Sequence, residues 1–202
     1  MEKTDMTEYS IIPFAHQKAK TWPGGTTTEL FIFPATAEYP LRNFRFRIST
    51  ATVETESSEF TILSGISRQL MVLSGATVLH HEGHPSSYLG RFDAATFEGD
   101  WKTSSVGRCT DFNLMTSGNT SGALSALTVQ KGQDVTYFFR EHHTFVFFYL
   151  FSGETSLLIN KQTDTLHQGD LLVFQQPVIN ALTFSSIEDC ELVVCEIENA
   201  SL

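Results

Sequence analysis

Two arginines, Arg47 and Arg68, and three acceptor-bearing side chains, Glu29, Asp111 and Asn113, stand among apolar residues in the first half of the chain. A guanidinium presents a fork of N–H donors that matches a carboxylate, while Asp, Asn and Glu can accept from an amide or an imidazole. Ser49 lies two positions from Arg47, and Asn113 two from Asp111, so each pair shares one face of an extended strand. Trp22, Thr28 and Glu29 flank Gly24-Gly25, whose missing side chains would let backbone approach a guest closely. The expected binding set is therefore Trp22, Thr28, Glu29, Arg47, Ser49, Arg68, Asp111 and Asn113, lining a concave, largely apolar mouth and holding a small carboxylate ligand. A competing reading makes Arg47–Glu29 and Arg68–Asp111 ion pairs that close the fold.

The elements needed to position these residues are strands. In Asn43 to Ser49, Phe44, Phe46 and Ile48 alternate with Arg45, Arg47 and Ser49. In Asp111 to Thr116, Asp111, Asn113 and Met115 alternate with Phe112, Leu114 and Thr116. Period two of this kind marks β-structure. Phe145 to Phe151, Leu171 to Phe174 and Leu192 to Ile197 are continuously apolar, as strands buried on both faces are. Seventeen Phe add to the β weighting.

The chain also repeats itself. Leu70-Met71-Val72-Leu73-Ser74-Gly75 is echoed by Phe148-Tyr149-Leu150-Phe151-Ser152-Gly153. Asp93 to Phe97 is echoed by Asp170 to Phe174, and Asp111 to Met115 by Asp189 to Val193. Three echoes in one order at nearly one offset indicate a duplicated β unit. Each apolar-Ser-Gly ending suits a strand that turns back at a glycine. This pattern resembles a cupin jelly roll present twice, an all-β bicupin with few short helices. The expected division gives 1–120 to the first half and 121–202 to the second, jointed at Asn119-Thr120-Ser121-Gly122 and packed as one compact unit.

The motifs Trp22-Pro23-Gly24-Gly25-Thr26-Thr27-Thr28-Glu29-Leu30, Phe46-Arg47-Ile48-Ser49-x-Ala51-x-Val53, Glu59-Phe60, Gly65-Ile66-x-Arg68-x-Leu70-x-Val72-Leu73-x-Gly75 and Asp111 to Thr116 follow in order. As a set they resemble the HutD/Ves family of bacterial bicupins. The resemblance covers most of residues 10–117; beyond 121 only the general cupin pattern remains. It implies association with histidine utilisation and a regulatory or small-molecule-sensing role rather than a reaction. Pro23 and Thr26 depart from the family's usual residues, so a side-chain contact from an Asn at that place would be missing.

Metal and nucleophile chemistry find less support. A metal-dependent cupin takes two His at H-x-H, a Glu and a later His. His142-His143 are adjacent, and strand neighbours point to opposite faces, so the pair is expected at a strand edge without a metal role. His80-His81-Glu82-Gly83-His84 is expected as a solvated hairpin tip. Cys109, Cys190 and Cys195 lack the electropositive neighbours that activate a thiol, and Cys190 and Cys195 fall in an apolar pattern that suits a core. No G-x-S-x-G elbow or phosphate loop occurs. Phe138-Phe139 and Phe145 to Phe148 are expected as inter-sheet core or a homodimer interface.

The net charge of −10 opposes nucleic acid and anionic membranes as partners. No apolar run reaches the ~18 residues of a span, and the N-terminal residues lack the apolar core of a secretory signal. Three unpaired cysteines fit the cytoplasm. The expectation is a cytoplasmic bicupin that binds a small carboxylate metabolite and modulates catabolism, without catalytic residues, cofactor or metal. The alternatives are a metal-dependent cupin enzyme acting on a small metabolite and a protein-interaction module.

Overall fold

The computed structural model describes residues 9–159 and 161–200. It is almost entirely antiparallel β-structure, with two single-turn 3-10 helices, Phe14–His16 and Tyr39–Leu41, among the described residues. The strands in chain order begin with β1 (Tyr9–Ile12), β2 (Lys18–Trp22), β3 (Gly25–Phe33), β4 (Phe46–Val53), β5 (Ser57–Glu59) and β6 (Ile66–Gly75). They continue with β7 (Thr77–His81), β8 (Ser87–Leu89), β9 (Ala94–Glu98), β10 (Thr103–Val106), β11 (Cys109–Ser117) and β12 (Ser121–Val129). The last are β13 (Asp134–Phe138), β14 (His143–Ser152), β15 (Thr155–Ile159), β16 (Gln162–Leu166), β17 (Leu171–Gln175), β18 (Ala181–Ser185) and β19 (Cys190–Glu198).

The chain forms two compact units. One comprises residues 17–124; the other comprises 125–199 together with 9–16. The first unit stacks a sheet of order β2-β3-β4-β11-β6-β9 with one of order β5-β10-β7-β8. The second has β1-β17-β14-β19-β12 and β13-β18-β15-β16. Reversing one list aligns β4-β11-β6-β9 with β12-β19-β14-β17, and β5-β10-β7-β8 with β13-β18-β15-β16. Each unit is a jelly roll, and the fold is a duplicated cupin-like sandwich.

The single division expected near residue 120 needs amendment at the N-terminus. β1 pairs with β17, Tyr9 opposite Phe174 and Ile12 opposite Leu171, so the leading strand belongs with the C-terminal roll. The physical reason is an otherwise open sheet edge at β17, which β1 covers.

The duplication extends to individual hydrogen bonds. The Val72 N–H donates to the Asp93 carbonyl oxygen, and the Val72 carbonyl oxygen accepts from the Phe92 N–H; Leu150 repeats both bonds with Asp170 and Gly169. The carboxylate of Asp93 accepts the Gly90 N–H at 3.0 Å, and that of Asp170 accepts the His167 N–H at 3.0 Å. Phe92 holds φ 63°, where the other copy has Gly169 at 90°. Gly75 and Gly153 both turn at left-handed φ (79° and 85°), and a Cβ at either would strike neighbouring atoms. The third echo is out of step, however. Asp111 faces Val72 across the ladder and Leu192 faces Leu150, so the strand register aligns Asp111 with Leu192 rather than with Asp189.

Both sheet faces are used. On β4, Phe46 and Ile48 are buried on one side, and Arg47 and Ser49 on the other. The interior of the first roll gathers Val53, Leu70, Val72, Leu79, Leu89, Phe97 and Cys109. The second roll is filled by Val146, Phe148, Leu150, Phe174, Phe184, Leu192 and Val194, among others. Phe145, Phe147 and Phe148 are buried as expected of core, whereas Phe138 is 70% exposed.

Candidate functional site

The interior face of the first roll changes character toward one end. Along β6, Leu70 and Val72 give way to Arg68; along β11, Cys109 gives way to Asp111 and Asn113; along β4, Val53 and Ala51 give way to Ser49 and Arg47. Register brings these strands together, with Asn113 opposite both Ser49 and Leu70, and Met115 opposite both Arg47 and Arg68. The result is a cavity of about 400 Å³ whose lining includes Arg47, Ser49, Arg68, Asp111, Asn113 and Met115, together with Trp22, Glu29, Tyr39 and Phe60. That size suits a small metabolite.

Within it Arg47 donates from Nε to Glu29 Oε2 at 2.7 Å and from Nη1 to Ser49 Oγ at 3.0 Å. Its guanidinium lies 4.4 Å from the centroid of the Tyr39 ring. Arg68 donates from Nη2 to Asn113 Oδ1 at 3.2 Å, and the Asn113 amide in turn donates to Asp111 Oδ1. Phe60 and Phe97 flank the Arg68 guanidinium at 4.7 and 5.1 Å. Aromatic faces and hydrogen bonds thus fix both cations before any guest arrives. Two buried N–H groups in this wall, Arg68 Nε and Trp22 Nε1, have no acceptor. A buried donor without a partner is costly, and such groups concentrate where function requires them.

Burial dominates the titration. It pushes the Asp111 carboxyl up to about 7 against the opposing pull of Arg68 and the Asn113 amide. Burial also pulls Arg68 down to about 10, so it remains charged at neutral pH. The Cys109 thiol is raised by burial to about 12, and that of Cys195 is raised likewise, so neither is a nucleophile at neutral pH.

A family model for HutD matches residues 15–194. The chain belongs to the HutD family. Its fold is similar to that of PA5104 from Pseudomonas aeruginosa PAO1, a conserved protein of unknown function. That match has a TM-score of 0.80 and 21% identity over 95% of this chain and 100% of the other. HutD from Pseudomonas fluorescens SBW25 matches with a TM-score of 0.72 and 20% identity over 96% and 100%. The bacterial pirin YhhW from Escherichia coli, solved with nickel(II), matches at 0.70 and 9% over 96% and 100%. No curated protein shows a significant match.

In this HutD-family chain the cavity brings together seven of the eight expected residues: Trp22, Glu29, Arg47, Ser49, Arg68, Asp111 and Asn113. Thr28 is the exception. It sits on the opposite face of β3, because neighbours on a strand alternate, and Thr27 and Glu29 face the cavity instead. Period two counted from Glu29 identifies Thr27 without a structure. Tyr39 and Phe60 carry no such signal, since one comes from a 3-10 turn and the other follows the short strand β5.

The HutD-family glycines have a different task from the one expected. A Cβ at Gly25 would lie 1.9 Å from the Thr52 carbonyl oxygen, and one at Gly24 would lie 1.9 Å from the Trp22 ring. They admit a neighbouring strand and seat the Trp22 indole, rather than leaving room for a guest. Of the suspected ion pairs, Arg47–Glu29 is a direct one at 2.7 Å, while Asn113 bridges Arg68 and Asp111 by its hydrogen bonds.

The histidines depart from expectation in part: His80 and His84 are exposed beside the turn, as expected. His81 is buried, not solvated; its Nδ1 lies 2.8 Å from Thr103 Oγ1 and its ring packs on Phe97 and Trp101. His84 stacks on Trp101 at 3.7 Å. His142 and His143 do converge, despite being adjacent, because His142 precedes β14 and is not bound by strand alternation.

Proposed function

We propose that the first roll is a non-catalytic receptor for a small carboxylate metabolite, one arising in histidine degradation, and that its occupancy modulates catabolism. The observation that carries this reading is the pairing of two buried, aromatic-braced guanidinium groups with unpartnered N–H donors around one metabolite-sized cavity. An acceptor-rich anion complements such a wall, and bidentate Arg contacts give it orientation. Membership of the HutD family favours a ligand from histidine breakdown, and the HutD structure from P. fluorescens was obtained in a formate condition, formate being the smallest carboxylate. The buried, unreactive thiols are in keeping with a binding role and with a cytoplasmic setting.

The test is a melting-temperature screen with urocanate, histidine, formiminoglutamate and glutamate. A true ligand at a hundredfold excess over its Kd adds about 2.7 kcal/mol of stability. Arg68→Ala and Arg47→Ala are expected to abolish the response while the unliganded proteins still melt cooperatively. Silence across the whole panel would overturn metabolite sensing. A response that survives both substitutions would assign the arginines to the scaffold.

A further inference from the structure

The second roll carries a separate constellation. β19 ends in Cys195-Glu196-Ile197-Glu198, and β14 begins at His143, which stands opposite Glu198. The register shifts between His143 and Phe145, which breaks regular alternation there. His142, in the turn just before β14, places its Nε2 3.0 Å from Glu198 Oε1. One ligand atom each from His142, His143 and Glu198 lies within 4.8 Å of the others. Glu196 adds a second carboxylate, with Oε1 3.8 Å from His143 Nε2, although that oxygen also accepts the Tyr137 hydroxyl at 2.5 Å.

A second observation concerns the buried imidazole of this cluster. The His143 side chain is 1% exposed, yet its buried Nδ1 has no hydrogen-bond partner. A buried imidazole ordinarily satisfies both nitrogens. His142 and Glu198 are 57% and 39% exposed, so an ion can reach the cluster and these two side chains can move onto it.

We propose that His142, His143 and Glu198 form a binding site for a borderline divalent transition-metal ion of the zinc or nickel class, with Glu196 poised as a further ligand. Two imidazoles and a carboxylate are the donors such ions prefer, whereas calcium and magnesium require all-oxygen sets. With metal–ligand bonds of about 2.0–2.2 Å, ligand atoms on a tetrahedral ion stand roughly 3.3 Å apart. Rotation of the exposed His142 and Glu198 side chains would bring the ligand atoms from within 4.8 Å toward that spacing. The arrangement is neither H-x-H nor dependent on the arginine cavity, so it stands or falls separately from the carboxylate reading.

The decisive experiment titrates metal-stripped, untagged full-length protein with Zn²⁺ against a chromogenic chelator. One ion per chain is expected, resisting a hundredfold excess of Ca²⁺. His142→Ala and Glu198→Gln, both at partly exposed positions that preserve the fold, should each weaken binding at least about tenfold, the loss typical of disturbing a metal site. The double variant His80→Ala/His84→Ala and the cavity variant Arg68→Ala should bind as wild type, with melting curves confirming that every variant is folded. The proposal is overturned by absence of stoichiometric binding, by undiminished affinity in both cluster variants, or by loss confined to the His80/His84 variant.

Discussion

Asp111 is the residue whose behaviour most directly reports its setting. Its carboxyl is raised from the usual value near 3.9 to about 7 by burial. Between about pH 4 and 7 the folded chain therefore holds a proton that the unfolded chain has released. The stability this contributes is complete below about pH 4 and is lost as pH rises through about 7. Denaturation midpoints measured from pH 5 to 8 should show that decline, and Asp111→Asn should flatten it. Protonation also removes a negative charge from the cavity that holds Arg47 and Arg68. Carboxylate affinity is accordingly expected to rise as pH falls from 8 to 6 in the wild type and to change little in Asp111→Asn; titration calorimetry at the two pH values checks this. At this scale the sequence was informative wherever alternation governs. Arg47 with Ser49 and Asp111 with Asn113 share faces as spacing dictates, and Thr28 fails by the same rule. Tyr39 was illegible because turn residues obey no period, and Phe60, although part of the Glu59-Phe60 motif, follows a short strand where no period assigns it to the site.

Among the elements, the paired hairpins ending at Gly75 and Gly153 show what the repeat encodes. Both glycines hold left-handed φ, and a Cβ at Gly153 would lie 2.6 Å from Cys190 Sγ and 2.8 Å from the Asp189 carbonyl oxygen. Gly153→Ala should therefore cost about 1–3 kcal/mol, from backbone strain together with the displaced neighbours, measurable by chemical denaturation. The strand echoes at Leu70 and Asp93 were readable because β6 with β14, and β9 with β17, keep the same turn chemistry. The echo at Asp111 misled because sequence similarity cannot register an inserted step; the cross-strand ladder places Leu192 there instead. Adjacent histidines misled for a related reason. Alternation holds within a strand, and His142 lies just outside one.

Across the whole molecule, duplication of the fold has not duplicated the cavity's polar lining. By strand register, Arg68, Asp111 and Asn113 of the first roll correspond to Val146, Leu192 and Val194 of the second, all three in its apolar core. Titration of the carboxylate ligand should accordingly saturate at one molecule per chain. Phe148→Ala, which hollows the second core, should destabilise the protein by about 3–5 kcal/mol while leaving that ligand's affinity unchanged at a temperature where the variant is folded. By itself the sequence determined the all-β class, the duplication and most of the first roll's polar lining, because period two and turn glycines are local rules that a linear string records. Only tertiary structure decided that β1 closes the second roll, that Tyr39 and Phe60 brace the arginines, and that His142, His143 and Glu198 meet. Those outcomes depend on edge pairing, register and loop paths between residues far apart in the chain, and no local period specifies them.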